Sequence, residues 1–454
     1  MDHSHLTVDD VALFVAGRLD GSALQRVLRQ ATGDCRRCRE MLRFAAPRPA
    51  AATPNPTAEE AAALDAVFKR VEAGLGRHLA LRAEEEAGLA RLRAKGAGTP
   101  FDGDYRRFRR VARTVPGRSR IEHLFELSYE MRYRDPEAMW LLALGAAAAA
   151  DNLGALPIDQ GRYSPAQKAD LRARAQIELA NAHRLRHSFD LAEDCLEEAA
   201  GLIEEGTGDL HTEGRLMDVY ASLLMDRRSL AEAIDVLAKL QRHYLACGET
   251  HLAGRALIKQ GTALHADRRH PEAVAALREG LAAIEPAADP TLVATAQHTL
   301  VLALVEAGCF HEAGDLLLKS GLRQAFADDP INLLKLRGVE GKIFAGLGKL
   351  WRAEMIFKEV KEDFLRRGRD YLAAMLGLEL AGVMLRQGRP DEVEELATEA
   401  FETFRDLAVG REALKAVRYL QQACHQRAAS AEKVQKVLMF LYRLEQKPGL
   451  RFAP

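Results

Sequence analysis

The 454-residue chain has little of what builds a cross-linked, membrane-bound or strongly charged protein. Six cysteines in so long a chain exclude a disulfide framework. Cys195, Cys247, Cys309 and Cys424 stand singly in helical pattern, as small core residues in a reducing cytosol would. Proline and β-branched residues are thin, while Ala, Leu, Arg and Glu abound, which favours helix throughout. A charge excess is also missing. The balance of 64 basic against 65 acidic residues argues against coating nucleic acid or membrane through net charge. The apolar run Met139 to Ala150 ends at Asp151, too short to cross a bilayer. The polar, acidic start offers no basic region followed by an apolar core, so no secretory signal is read. A cytoplasmic protein is expected.

What the chain does have is a repeat. Small or short side chains recur at Ala192, Ala233, Ala273, Ala313, Ala353 and Val393, at intervals of 41, 40, 40, 40 and 40 residues. Twelve residues before each anchor stands Ala180, Ala221, Gly261, Val301, Gly341 or Ala381, and four after it Leu196, Leu237, Leu277, Leu317, Phe357 or Ala397. Nine before it the slot is mostly bulky: His183, Leu224, Leu264, Leu304, Phe344, Met384. A fixed period of this size marks stacked units that bury their apolar faces against their neighbours. Gly308, Gly348 and Gly388 fall at the turn inside a unit, where a glycine ends a helix in the left-handed conformation.

This spacing resembles the tetratricopeptide repeat over roughly residues 164 to 410. The resemblance implies an all-α fold, a right-handed α-solenoid of helix pairs in which small residues let two antiparallel helices approach closely. The usual unit has 34 residues. A 40-residue spacing therefore calls for helices longer by about a turn or for wider joints. A first, less regular pair is expected from Ile121 to Arg134 and Pro136 to Asp151. At the other end the period fails at Lys433, forty residues after Val393, so 411–454 reads as a capping helical pair.

Residues 1–46 read as a small helical domain around the break Gly17 to Gly21, followed by Cys35-Arg-Arg-Cys38. Here the chain resembles the zinc-binding anti-sigma domain of bacteria, whose pattern is an early His or Cys and then His-x3-Cys-x2-Cys. His5, Cys35 and Cys38 fall at the first, third and fourth ligand positions, whereas Ala31 stands at the second. A structural zinc site wants four ligands. Two readings stay open: His3 completes the set, or the site is a metal-free helical core with two spare thiols. The resemblance implies a sigma factor as partner.

Pro47, Pro49, Pro54 and Pro56 make 47–58 a semi-extended spacer and the clearest boundary in the chain. Residues 59–118 follow as connecting helices, with Leu64, Val67, Phe68 and Val71 on one face. Within them Arg106, Arg109, Arg110 and Arg113 share a helix face beside Tyr105 and Phe108. Basic side chains among aromatics can grip phosphate and stack bases. They equally make a solvated helix face, the reading taken here, so nucleic acid is not an expected partner.

Members of the repeat class hold peptides on the surface formed by the first helix of each pair. Eighteen residues before each anchor the chain reads Arg174, Arg215, Arg255, Thr295, Lys335 and Met375, a mostly basic column. Asn181 and Arg184 fall on inward slots of the first regular unit, Asn181 where the class uses an Asn to hold peptide backbone. The column points to a protein or peptide partner, acidic where it meets the arginines. No His-Glu-x-x-His, phosphate loop or Gly-x-Ser-x-Gly elbow occurs, and His265, His298 and His425 read as surface or groove residues rather than bases. A non-enzymatic interaction protein is expected, a regulator or else a pure scaffold.

Overall fold

The computed structural model describes residue 27 and residues 80–94, 111–132, 134–287, 289–407, 409–425, 427–446 and 450–453. His3, His5, Cys35, Cys38, the 47–58 spacer and Arg106 to Arg110 lie outside the described residues.

No strand occurs among the described residues. Helix α1 covers 80–94, and an irregular pair follows, α2 (Gly117–Met131) and α3 (Pro136–Asp151). Six pairs then run in series. They are α4 (Pro165–Leu185) with α5 (Phe189–Glu205), α6 (Leu210–Asp226) with α7 (Leu230–Ala246), and α8 (Thr250–Ala266) with α9 (His270–Ala283). Next come α10 (Pro290–Glu306) with α11 (Phe310–Lys319) and the short α12 (Leu322–Ala325), α13 (Pro330–Gly346) with α14 (Leu350–Arg366), and α15 (Asp370–Arg386) with α16 (Pro390–Asp406). Helices α17 (Arg411–His425) and α18 (Ala431–Gln446) close the series. The chain forms two compact units, Met1–Arg227 with Asp235–Ala253, and Arg228–Ile234 with Gly254–Pro454, and the boundary runs through α7 and α8.

The 40-residue spacing is explained by helix length. Helices α13, α14, α15 and α16 each have 17 residues, and joints such as 347–349 and 367–369 have three. The anchors are all buried: Ala192, Ala233, Ala273, Ala313, Ala353 and Val393 are each 0% exposed. A β-carbon on Gly261 would sit 2.5 Å from Leu277 Cγ, and one on Gly341 would overlap the ring of Phe357. The residue twelve before the anchor is thus small because the bulky one four after it fills the space.

Helix ends follow the sequence closely. Asp135, Asp289 and Asp329 accept hydrogen bonds from the first-turn N–H groups of their helices, and a proline opens each of those helices. Ser164 and Gln167 form a reciprocal capping box at α4. Gly308, Gly348 and Gly388 take φ of 78°, 74° and 78°, and the following N–H reaches back to the carbonyls of Leu304, Phe344 and Met384 at 2.8–3.0 Å. In earlier pairs the same turn slot holds His187, Arg228 and Arg268, also left-handed at 58°, 63° and 67°.

Two departures from the even repeat have visible causes. Helix α9 stops at Ala283, shortly before Pro286, and α11 stops at Lys319, where Gly321 turns left-handed at φ 65°. Of the cysteines expected in the core, only Cys424 is buried; Cys195 and Cys247 are half-buried and Cys309 is exposed. Cys195 lies within α5, three residues past the anchor, while Cys247 and Cys309 stand in the turns after α7 and before α11. Burial first, then Glu198 and Asp194, push the Cys195 thiol up to about 11. Among the described residues no helix is long and apolar enough to cross a membrane.

Candidate binding face

The first helices of successive pairs (α4, α6, α8, α10, α13, α15) carry the residues singled out in the sequence. In the first unit four of them gather on α4 and α6. Arg215 grips Glu178 in a two-point ion pair, with Nε donating to Oε1 and Nη2 to Oε2 at 2.8 Å each. Arg174 Nε donates to the same carboxylate at 3.3 Å, and its guanidinium lies 5.4 Å from the Phe125 ring of α2. Arg215 also reaches Asp218 at 2.9 Å. Burial would raise the Glu178 pKa, but Arg215 and then Arg174 outweigh it and hold the carboxyl below its usual range.

One turn further on, Arg184 donates twice to Asn181 Oδ1, at 3.2 and 2.9 Å, and once to Asp226 Oδ2 at 2.6 Å. Asn181 is buried. The column expected to be positive is therefore compensated in this unit. Three arginines face Glu178, Asp218 and Asp226, so what remains is a set of oriented donors rather than a field of one sign. Arg174 engages only its Nε in hydrogen bonds among the described residues, which leaves both terminal amino groups of a half-buried guanidinium to donate elsewhere.

In the second unit Arg255 pairs with Asp289 at 3.0 Å. Lys335 is exposed and forms no ion pair among the described residues. Within the second unit the two basic residues of the column therefore share no ion-pair partner among the described residues. A different polar group does form here, and the single-slot reading missed it. Lys342 Nζ lies 2.8 Å from Glu379 Oε1, 3.7 Å from Glu306 Oε1 and 3.2 Å from the Tyr442 hydroxyl. Tyr442 in turn donates to Glu379 at 2.9 Å, and Arg268 donates to Glu306 at 3.2 Å. Burial works against the Lys342 charge, yet Glu379 first, then Tyr442 and Glu306, raise its pKa above the ordinary value.

The alignment held a signal for this. Lys342 occupies the slot of Asn181, eleven before the anchor, and Glu379 the slot of Glu178, fourteen before it.

Beside this group the rings of His265 and His270 lie 5.2 Å apart. His265 Nδ1 and both ring nitrogens of His270 have no hydrogen-bond partner among the described residues. Burial, and then His270, bring the His265 pKa down to about 4, so the ring is neutral at neutral pH. His298 is half-buried and also lowered, by burial and Lys335, while exposed His425 pairs with Glu394 at 2.7 Å. No group of three or more His, Cys, Asp or Glu side chains that could hold a metal occurs among the described residues.

No protein-family model matches the chain, and no curated protein matches it in sequence. Among solved structures, the apo form of RapI is similar over 64% of this chain and 99% of its own, at 15% identity and a TM-score of 0.44. Aspartyl phosphate phosphatase F from Bacillus subtilis is similar over 89% and 94%, at 12% identity and a TM-score of 0.45. A circular tandem repeat protein aligns over 98% and 91%, at 15% identity and a TM-score of 0.18. The fold class rests on the chain's own helices: an all-α array of tetratricopeptide-like pairs.

Proposed function

We propose that the chain is a regulator that acts by binding proteins rather than by catalysis. A peptide or protein segment is held on the first-helix face, and a second partner, a sigma factor, on residues 1–46. The carrying observation is the ordered arginine set of α4 and α6. Arg174 and Arg215 share the buried carboxylate of Glu178, and Arg184 is fixed by Asn181 and Asp226. Side chains held in this way lose little freedom when they bind, so they can reward a ligand carboxylate or backbone carbonyl that fits their geometry. Because the charge is compensated, recognition rests on direction, and an acidic group is selected at Arg174 in particular.

Zinc held by His5, Cys35 and Cys38, with His3 as fourth ligand, belongs to the same proposal, and no step of it depends on the metal. The departure at Ala31 favours a second reading, in which residues 1–46 only support a scaffold and the repeat face carries the function.

The test uses the full chain, its Arg174→Gln variant and its Cys35→Ser/Cys38→Ser double variant as baits in the native cell, with captured proteins identified by mass spectrometry. The regulator reading expects one set of partners to drop out with Arg174→Gln and a sigma factor with the cysteine variant. Retention of every partner by the cysteine variant leaves the scaffold. Retention of every partner by both variants removes the proposal.

A further inference from the structure

The last helix of the chain is not placed as a repeat helix would be. Where the packing is seen within one unit, in α5, α11, α14 and α16, the second helix packs on its own partner and on the next first helix, and its anchor (Ala192, Ala313, Ala353 or Val393) is small or short. Helix α18 has Lys433 at the anchor position, and its contacts go to α17 and back to α15, a first helix. From there it reaches further first helices. Tyr442 bonds Lys342 of α13 and Glu379 of α15, and Met439 contacts Arg268 in the turn after α8. A β-carbon at Gly382 of α15 would meet Val434 at 3.6 Å. Both Lys342 and Gly382 occupy the inward slot that in the first pair holds Asn181.

The contact has the make-up of a ligand in a groove. Val434, Val437, Leu438 and Leu441 are buried at spacings of three and four, the anchor pattern of an amphipathic helix laid on a helical surface. Tyr442, next to that row, supplies a hydroxyl that both donates and accepts between two repeats. Two cations and two carboxylates, Arg268, Lys342, Glu306 and Glu379, are gathered around it. A helix needed only to close a stack would be served by apolar contact, whereas the half-buried charges gathered here fix which helix fits and in what register. The chain beyond α18 supports the same placement: Phe452 packs on Tyr419 and Phe440, with ring centroids 5.5 and 5.0 Å away, and its carbonyl accepts from Lys415 at 2.8 Å.

We infer that the first-helix face of the second unit is a binding site for an amphipathic helix, and that α18 is its resident, displaceable internal ligand. The external partner that opens it carries the α18 pattern: apolar residues at i, i+3, i+4 and i+7, then a tyrosine at i+8. This goes beyond the function proposed above. It concerns another unit, and its test uses no partner from the cell.

The experiment places a cleavage site for a sequence-specific protease between Ala428 and Ala429 of the full chain and adds a fluorescent peptide of residues 429–454 before and after cutting. The uncut chain is expected to ignore the peptide. The cut chain, still helical, is expected to exchange its own fragment for the labelled one, as read by anisotropy and by mass spectrometry of the released fragment. A Tyr442→Phe peptide is expected to bind about tenfold more weakly, the worth of one hydrogen bond to a charged group.

Three outcomes overturn the inference. One is retention of the original fragment overnight against a large excess of peptide. Another is loss of helicity or precipitation on cutting, which makes α18 an integral part of the fold. The third is equal binding to cut and uncut chains, which puts the peptide elsewhere.

Discussion

Phe357 occupies the place that a β-carbon on Gly341 would take. The two residues are sixteen apart, on the facing helices α13 and α14, and the same pairing recurs between Gly261 and Leu277. Gly341→Val is therefore expected to lower stability by about 3 kcal/mol through overpacking. Gly145 of α3 is the contrasting case, exposed and with nothing within 4 Å of an added β-carbon. Gly145→Ala should raise stability by about 0.5–1 kcal/mol through helix propensity alone. Urea midpoints of the two variants, at unchanged slope, check both signs.

The buried Glu178 carboxylate holds two half-buried arginines. Removing its charge with Glu178→Gln is expected to cost about 2 kcal/mol, because two half-buried guanidiniums lose the carboxylate they share and Arg215 keeps only Asp218. Replacing both partners, Glu178→Leu with Arg215→Leu, should recover most of that loss. A double-mutant cycle by denaturant unfolding measures the coupling, and additive single effects would show that the pair is idle.

His265 is neutral in the folded protein down to about pH 4, whereas an unfolded histidine takes up its proton near 6.5. Between these values the unfolded chain binds more protons, so stability falls as pH falls. The expected contribution from this ring is a loss of about 2 kcal/mol between pH 7 and pH 5. His270, lowered in the same direction, adds to it. His265→Asn should flatten the profile over that window, and urea midpoints at pH 7 and pH 5 are the measurement.

The turn slot five before each anchor offers a fourth kind of test. Arg228 is exposed and holds φ at 63°, a conformation that L side chains resist. Arg228→Gly is expected to stabilise by about 1 kcal/mol, and Gly388→Arg, at the matching turn with φ 78°, to destabilise by a similar amount. Thermal melting of the two variants should move in opposite directions.

The architecture was legible because the signals that set it are local and repeated. The anchors, the small–bulky pairing, the proline starts and the glycine turns each act within one or two helices, and six copies share a register. The breaks at Pro286 and Gly321 were also written in the chain, but as single interruptions they carry little weight in a pattern read by period. The binding face was less legible for a different reason. Reading one slot gave a basic column, while the charges that cancel it stand three or four residues away on the same helix, at Glu178 and Asp218, or on the next, at Asp226. Tyr442 and Lys342 are a hundred residues apart, and nothing in either stretch marks the other. Lys433 alone signalled that the last helix leaves the pattern.

The connection between α17 and α18 runs only from residue 426 to residue 430. So short a tether keeps the free helix at an effective concentration on the order of millimolar beside its own site, where any external helix must outbid it. Partners present at micromolar levels would then capture the site only when they bind about a thousandfold more tightly than α18 does, or when a second contact on the same molecule brings them equally close. Arrival would be paced by the spontaneous release of α18, so raising the partner concentration would speed capture only up to that rate. A length of five residues would thereby set both a threshold and a clock.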